Sequence, residues 1–391
     1  MRRFASQYII TNTGPVLRQS IVTTTDDGLI TDIEDTGGSL KESSSIEYYN
    51  GIIIPGLVNC HCHLELSYMK GLIPRGKGLG DFIGQLSNLR NQNAEKAVSA
   101  AFSSDNSMYR NGISLCADVC NTSVTFPLKR NSRISYFNFI EVFGIDPENS
   151  TRRIEEAKIV IEEAAKSGLE YSIVPHSPYS VSLPLFSLIK DLSGQNNVTS
   201  IHFMETESEK ELLENHTGTL LELYRRAGLL KSKPLTAKNH SDVILDAVTQ
   251  SGNLILVHNT YVDRATIENV KRRRSLYWCL CPDSNLYIEK KLPPVKMLMD
   301  EGCKIVIGTD SLASNNRLDV FGEIRTLQLN FPELPLADLV EWATINGARA
   351  LCKEKDYGTI EPGKSPGLAL IENADLKNLK LTEDSTITRL I

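Results

Sequence analysis

The chain has 391 residues, 41% of them hydrophobic and 23% charged, enough apolar material for one large barrel with an accessory unit or for two to three ordinary domains. A net charge of −6 argues against nucleic acid or an anionic membrane as a partner. No segment reaches the ~18 consecutive apolar residues of a membrane helix, MRRFASQYII lacks a signal-peptide core, and eight cysteines without secretory features point to reduced thiols. The expected setting is the cytoplasm.

Residues 1–54 alternate in short runs (YIITN, SIVTTT, LITDIED) broken by TGP, DDG and TGG, which predicts a small β-rich unit. Apolar, β-branched runs then recur at 57–63, 114–119, 135–142, 170–176, 199–204, 253–258, 276–282 and 304–310. Amphipathic stretches separate them. In 150–168, Ile154, Ala157, Ile161, Ala164 and Ala165 fall on one helical face and Gly168 stops the helix. Near-continuous apolar strands alternating with helices require a parallel sheet covered by helices, and eight units fit a (β/α)₈ TIM barrel of the α/β class. An open doubly wound sheet is the alternative. From about residue 357, YGTIEPGKSPGLALIENA returns to the β-rich style. Residues 1–54 and 357–391 are therefore expected to build one accessory β-sandwich around a barrel of residues 55–356.

Polar residues cluster at the C-terminal ends of the predicted strands, where barrel enzymes place their active sites. Strand alternation puts His61 and His63 on one face and Cys60 and Cys62 on the other, so the imidazoles converge as metal ligands and the thiols point away. Five of seven histidines (His61, His63, His176, His202 and His258) close predicted strands, and Asp310 closes the eighth. His216 and His240 lie in polar stretches and read as surface residues. Glu205, three residues past His202, is placed to move a proton between a metal-activated water and a substrate. Glu207, Glu209 and Glu211 read as charges at a helix start.

Several other features read as structural. The glycines of RGKGLG (75–80) fit neither phosphate-loop nor dinucleotide spacing, so that segment reads as a flexible lid over the barrel mouth. The pairs Cys116/Cys120 and Cys279/Cys281 read as buried small hydrophobes rather than a zinc ribbon. The basic run KRRR (271–274) reads as a solvated helix end.

These residues resemble the amidohydrolase superfamily. PGLVNCHCHLELS (55–67) is similar to its PGxxxxHxH signature, and HFMETESE (202–209) to the HxxE segment of its deaminase and chlorohydrolase branch. PHSPYS (175–180) resembles a segment of S-adenosylhomocysteine and methylthioadenosine deaminases, and LVHNTYVD, CPDSNLYI, GTDSLASNN and GTIEPGKSPGLALI follow in family order. HxHLELS is closer to aminofutalosine deaminases than to nucleoside deaminases with an acidic, Trp-containing lid.

The resemblance implies one divalent metal ion, zinc or alternatively ferrous iron, held by His61, His63, His202 and Asp310. It implies Glu205 as proton shuttle, His258 as the group polarising water or intermediate, and Asp310 as acceptor of the water's first proton. His176 would bond the substrate ring and Ser314 would help hold it. Glu65 and Glu141 are further substrate-contact candidates, with a structural hydrogen bond the alternative for Glu65. Strand four ends in Pro175-His176 without the lysine that bridges two metals in relatives. The implied activity is hydrolytic deamination of a purine nucleoside-type small molecule such as aminofutalosine, adenosine or a thioether derivative. Chloride expulsion, or deamination of a free base or pterin, could use the same site. A catalytically silent binding barrel is the alternative outside enzymology, and the assembly is open to a homo-oligomer.

Overall fold

The computed structural model describes every residue except 42, 44, 91–93, 230–241, 243–247, 249–251 and 274. Strands β1 (Arg2–Ile9), β2 (Leu17–Arg18), β3 (Ile21–Thr24), β4 (Ile30–Glu34) and β5 (Glu47–Pro55) come first. They join β14 (Leu368–Glu372) and β15 (Thr386–Arg389) in one seven-stranded sheet, ordered β15-β14-β5-β1-β3-β4 with β2 on β1. Both chain ends therefore share one sheet. Its apolar face packs Phe4, Ile9, Val22, Ile53 and Leu370 with Ile360.

β5 runs into β6 (Leu57–Cys62) across a single residue, Gly56. A Cβ there would lie 2.0 Å from the Ser114 hydroxyl and 2.3 Å from the Pro366 carbonyl, so only glycine fits this junction. β6, β7 (Ile113–Cys120), β8 (Ser135–Val142) and β9 (Glu170–Pro175) form one parallel four-stranded sheet. β10 (Val198–Phe203), β11 (Asn253–His258), β12 (Leu276–Leu280) and β13 (Ile305–Ile307) form a second. His202 N donates to His176 O (2.9 Å) across one seam, and Thr309 N and Asp310 N donate to His61 O (2.9 and 3.0 Å) across the other.

Side chains alternate between two apolar layers, as strands buried on both faces require. Val58, Leu115, Ala117, Phe139, Val174, Val257 and Val306 pack together on one side. Cys116, Ile140, Ile173, Ile201, Leu256 and Ile307 face the helices on the other. The predicted helix after β8 spans Ser150–Lys166; Ile154, Ala157 and Ala164 are buried, Ile161 is half-buried, and Ala165 in the last turn is exposed.

Four details differ from the sequence reading. Cys60 and Cys62 do not share a face: Cys60 packs with Val58 and Cys279, Cys62 with Cys116 and Cys120. The cause is a register irregularity between Asn59 and Cys62 in the pairing with β7, a bulge that turns the strand end. In the basic run, Lys271 and Arg272 are exposed but Arg273 is buried, and residue 274, like His240, lies outside the described residues. Glu209 is fully buried rather than a solvated helix-start charge. The lid segment is tied down, with Gly76 N donating to Tyr287 O (2.7 Å) and Leu79 N to Glu289 Oε1 (2.9 Å), before the helix Leu79–Leu89. No helix among the described residues is long and apolar enough to cross a membrane.

Candidate metal centre and active site

Four strand ends bring five histidines together. β6 brings His61 and His63, whose Nε2 atoms lie 3.1 Å apart. β10 brings His202, and one nitrogen each from His61, His63 and His202 lies within 4.8 Å of the others. Asp310, three residues past β13, sets Oδ1 3.7 Å from His61 Nε2 and 3.5 Å from His63 Nε2. Its other oxygen is saturated, because Oδ2 accepts from Ser284 Oγ (2.6 Å) and Ser314 Oγ (2.7 Å).

Hydrogen bonds fix two imidazole tautomers. His202 Nδ1 lies 2.9 Å from the His176 carbonyl, which only accepts, so Nδ1 carries the proton and Nε2 keeps its lone pair. Glu141, His176 and His202 also offer three atoms within 4.8 Å of one another. That trio is the poorer cation site, since the protonated Nδ1 is the His202 nitrogen beside Glu141, 3.6 Å from its Oε1. His258 Nδ1 lies 3.1 Å from the Asn285 amide nitrogen, a donor, so His258 Nε2 bears the proton and faces Glu205 Oε1 at 3.5 Å.

Backbone strain gathers here. His258 (φ 77°), Asp310 (φ 56°) and Met204 (φ 50°), just before Glu205, all adopt left-handed conformations. For non-glycine residues this costs of order 1–3 kcal/mol each and persists where surrounding structure demands it. At His258 the demand is visible: Leu254 and Leu256 face the helices, and the left-handed turn swings the next residue of that parity back to the mouth.

Burial sets the electrostatics. It drives His63 and His202 well below the ordinary imidazole range, helped by neighbouring histidines, and pushes His258 and His176 down to about 3. These rings are neutral and can donate lone pairs. Burial alone would raise Asp310, but its bond to His61 and the fields of His63 and His258 hold it well below the carboxylate range. Burial first, and then the neighbouring carboxyls of Asp310 and Glu209, push the Glu205 carboxyl well above its ordinary value, which favours its protonated form. Tyr179 Oη donates to Glu205 Oε2 (3.1 Å), and Glu205 N donates to Glu209 Oε2 (3.0 Å).

The structure does not bring all expected residues to the same point. Glu65 is buried behind the site, accepting from Arg90 Nη2 (3.1 Å), Thr122 Oγ1 (2.9 Å) and the Asn121 and Thr122 amides. Glu141 accepts from Asn121 Nδ2 (3.2 Å), and burial lifts its carboxyl to about 7. It lines a cavity of about 320 Å³ with Arg90, Asn121, Phe143 and Arg153. His176 holds Ser180 Oγ at 2.7 Å and stacks on His202 with ring centroids 4.4 Å apart. Ser314 is fully buried, its hydroxyl directed at Asp310. Sequence reasoning missed Ser284, Asn285, Tyr179 and Glu209, although each lies inside a motif quoted above: CPDSNLYI, PHSPYS or HFMETESE.

A divalent cation fits the residues present. The buried imidazoles of His61, His63 and His202 and the carboxylate of Asp310 converge on one point. Nitrogen–nitrogen and nitrogen–oxygen separations of 3.1, 3.5 and 3.7 Å suit ligands placed ~2.0–2.2 Å from one ion.

The chain is 26% identical over 393 residues to a 5'-deoxyadenosine deaminase of Methanothermobacter thermautotrophicus, covering 93% of this chain and 82% of the relative. Its fold is similar to that of Helicobacter pylori aminofutalosine deaminase in complex with methylthio-coformycin (TM-score 0.78, 22% identity, 95% and 92% of the two chains). It is also similar to that of a zinc-bound adenosine deaminase from Xanthomonas campestris (TM-score 0.68, 21% identity, 96% and 85%). The model of the amidohydrolase family matches residues 52–389, and the chain belongs to that family.

Proposed function

We propose that this protein is a metal-dependent hydrolytic deaminase that replaces the exocyclic amino group of a purine nucleoside-type substrate with oxygen. One observation carries the reading: a three-imidazole, one-carboxylate donor set stands beside the buried carboxyl of Glu205, whose Oε1 lies 3.5 Å from His258 Nε2. The fold in this proposal is a closed (β/α)₈ barrel of residues 55–356, supported by the hydrogen bonds at both seams, with an accessory β-sandwich of residues 1–54 and 357–391. Eight free cysteines, six of them buried, support a reducing cytoplasmic setting.

His61, His63, His202 and Asp310 would hold one cation, zinc in this reading, with ferrous iron suited to the same donors. When bound, it supplies the Lewis acidity that lets a water lose a proton near pH 7. Asp310 receives that proton. As the water oxygen attacks the amino-bearing ring carbon, Glu205 delivers its own proton to the adjacent ring nitrogen. His258 Nε2–H, aimed into the site, donates to the charge that develops on oxygen. The proton held on Asp310 passes to the amino nitrogen, which leaves as ammonia, while the new hydroxyl gives its proton to Glu205 and becomes the product carbonyl, restoring both carboxyl groups. Tyr179 keeps the Glu205 carboxyl oriented, His176 and Glu141 shape the wall the substrate meets, and Glu65 holds Arg90 and Thr122 behind it.

The test is ammonia release by the zinc-loaded protein from adenosine, 5'-deoxyadenosine, methylthioadenosine and aminofutalosine, with adenine and a chlorinated triazine as controls. At least one nucleoside should turn over, and Glu205→Gln should abolish turnover while one metal per chain remains. Turnover of the triazine or free base alone would overturn the nucleoside assignment. Substantial activity in Glu205→Gln would overturn the proton shuttle.

A further inference from the structure

We propose that Glu323, on the helix Val320–Asn330, is a positioning residue that fixes how Asp310 and His258 are presented. Its side chain is fully buried and its two oxygens accept hydrogen bonds from two different segments. Oε1 accepts from Asn315 Nδ2 (2.8 Å), and that same amide donates to the carbonyl of Thr309 (2.9 Å), the residue before Asp310. Oε2 accepts from Asp283 N (2.8 Å), at the start of the helix Pro282–Ile288.

That helix carries Ser284, which donates to Asp310 Oδ2, and Asn285, which donates to His258 Nδ1. Glu323 thus ties the loop bearing Asp310 and Ser314 to the helix bearing Ser284 and Asn285. Ser284 and Ser314 clamp Oδ2 and leave Oδ1 alone to face the histidine pair. Only a carboxylate matches this geometry: two N–H donors converge on it, and an amide would turn an N–H against one of them. Desolvating a carboxylate without a cationic partner is costly, so fold stability alone is poor reason to place one here. The inference rests on the proposed role of Asp310 as a ligand.

Glu323→Gln, with Ser284→Ala and the double variant, tests it. Outer partners of metal ligands are typically worth about 10–100-fold in metal affinity or activity. Glu323→Gln should still bind one zinc per chain when saturated, release it to a chelator about tenfold faster, and lose kcat about tenfold with KM changed less than about twofold. If Glu323 acts through Ser284, the double variant costs no more than the worse single variant. Losses that multiply, or a lowered unfolding midpoint with unchanged zinc release and kcat, would overturn the inference. Should Glu323→Gln fail to fold, Asn315→Ala cuts one of the two arms and must move the same two readouts. Asp310→Asn separates the two layers of argument: if it holds zinc as tightly as the parent protein, the ligand role fails and the inference with it. If Asp310→Asn loses zinc and Glu323→Gln does not, only the inference falls.

Discussion

Lys129 is buried, and replacing it by methionine should destabilise the protein more than most single substitutions. Its ammonium lies 2.5 Å from Asp118 Oδ2, 2.8 Å from Asn138 Oδ1 and 3.0 Å from Cys120 Sγ, with both side chains of the ion pair fully buried. Burial would lower the lysine's proton affinity, but Asp118 and Cys120 raise it above its ordinary value, so the cation persists. Methionine matches the stem but leaves Asp118 charged in an apolar layer. Removing one partner of such a pair costs about 3–5 kcal/mol, whereas replacing both costs far less. The expected result is a lowered urea midpoint at unchanged slope for Lys129→Met, partly recovered in Lys129→Met/Asp118→Asn. The effect should reach the site, because Asp118 Oδ1 accepts from Leu64 N (2.7 Å), the residue after His63. Zinc release to a chelator should quicken in the single variant. A loss below ~1 kcal/mol would refute the claim that the pair is an uncompensated charge once broken.

Glu209 gives a pH signature. Burial lifts its carboxyl from an ordinary 4.5 to about 8, so the folded state holds the proton more tightly than the unfolded chain. Its stabilising contribution is full below about pH 4.5 and is lost as pH rises toward 8. Urea midpoints of Glu209→Gln measured against the parent across that range should lack this decline, and parallel curves would count against it. A thiol reagent on the native protein should modify Cys352 first and Cys303 more slowly, with the other six cysteines reacting only after unfolding; early reaction of more than two would contradict the packing. Gly308→Ala would push a Cβ to 2.7 Å from His61 Cβ and 2.8 Å from Cys279 Sγ. It should cost ~1–3 kcal/mol in urea unfolding and weaken zinc binding, and a neutral substitution would mean the strand end has room. Chelation of the loaded protein should lower its unfolding temperature, restored by zinc, as mass action on the folded state requires.

The strands that build the scaffold were legible because a parallel sheet buried on both faces writes itself as apolar runs, and β8 and β11 fall where those runs do. His61 and His63 were legible as a converging pair, but the parity argument failed one residue earlier. A bulge is set by strand pairing, which no local pattern encodes, and it sent Cys60 and Cys62 to different layers. Glu209 was unreadable for a related reason. It sits in an acidic run, and only the return of Glu205 N to its carboxylate distinguishes it from Glu207 beside it. Ser284 and Asn285 stand 25 or more residues from the groups they hold, and serine and asparagine at a helix start look like ordinary turn chemistry. Ser314 stood in a readable motif, yet its hydroxyl meets Asp310, a contact that depends on the loop's return path.

The one-residue passage at Gly56 has a bearing on how the molecule can assemble. β5 pairs with β1 on one side and with β14 on the other, and β14 lies more than three hundred residues further along the chain. During synthesis β5 must wait with an open flank while everything between is made, and that flank is the apolar run Ile52–Ile53–Ile54. An unpaired strand edge of this kind invites pairing with another molecule. A chain shortened before Leu368 would keep every proposed metal ligand and still be prone to aggregate, its chemistry intact in composition but lost to the pellet.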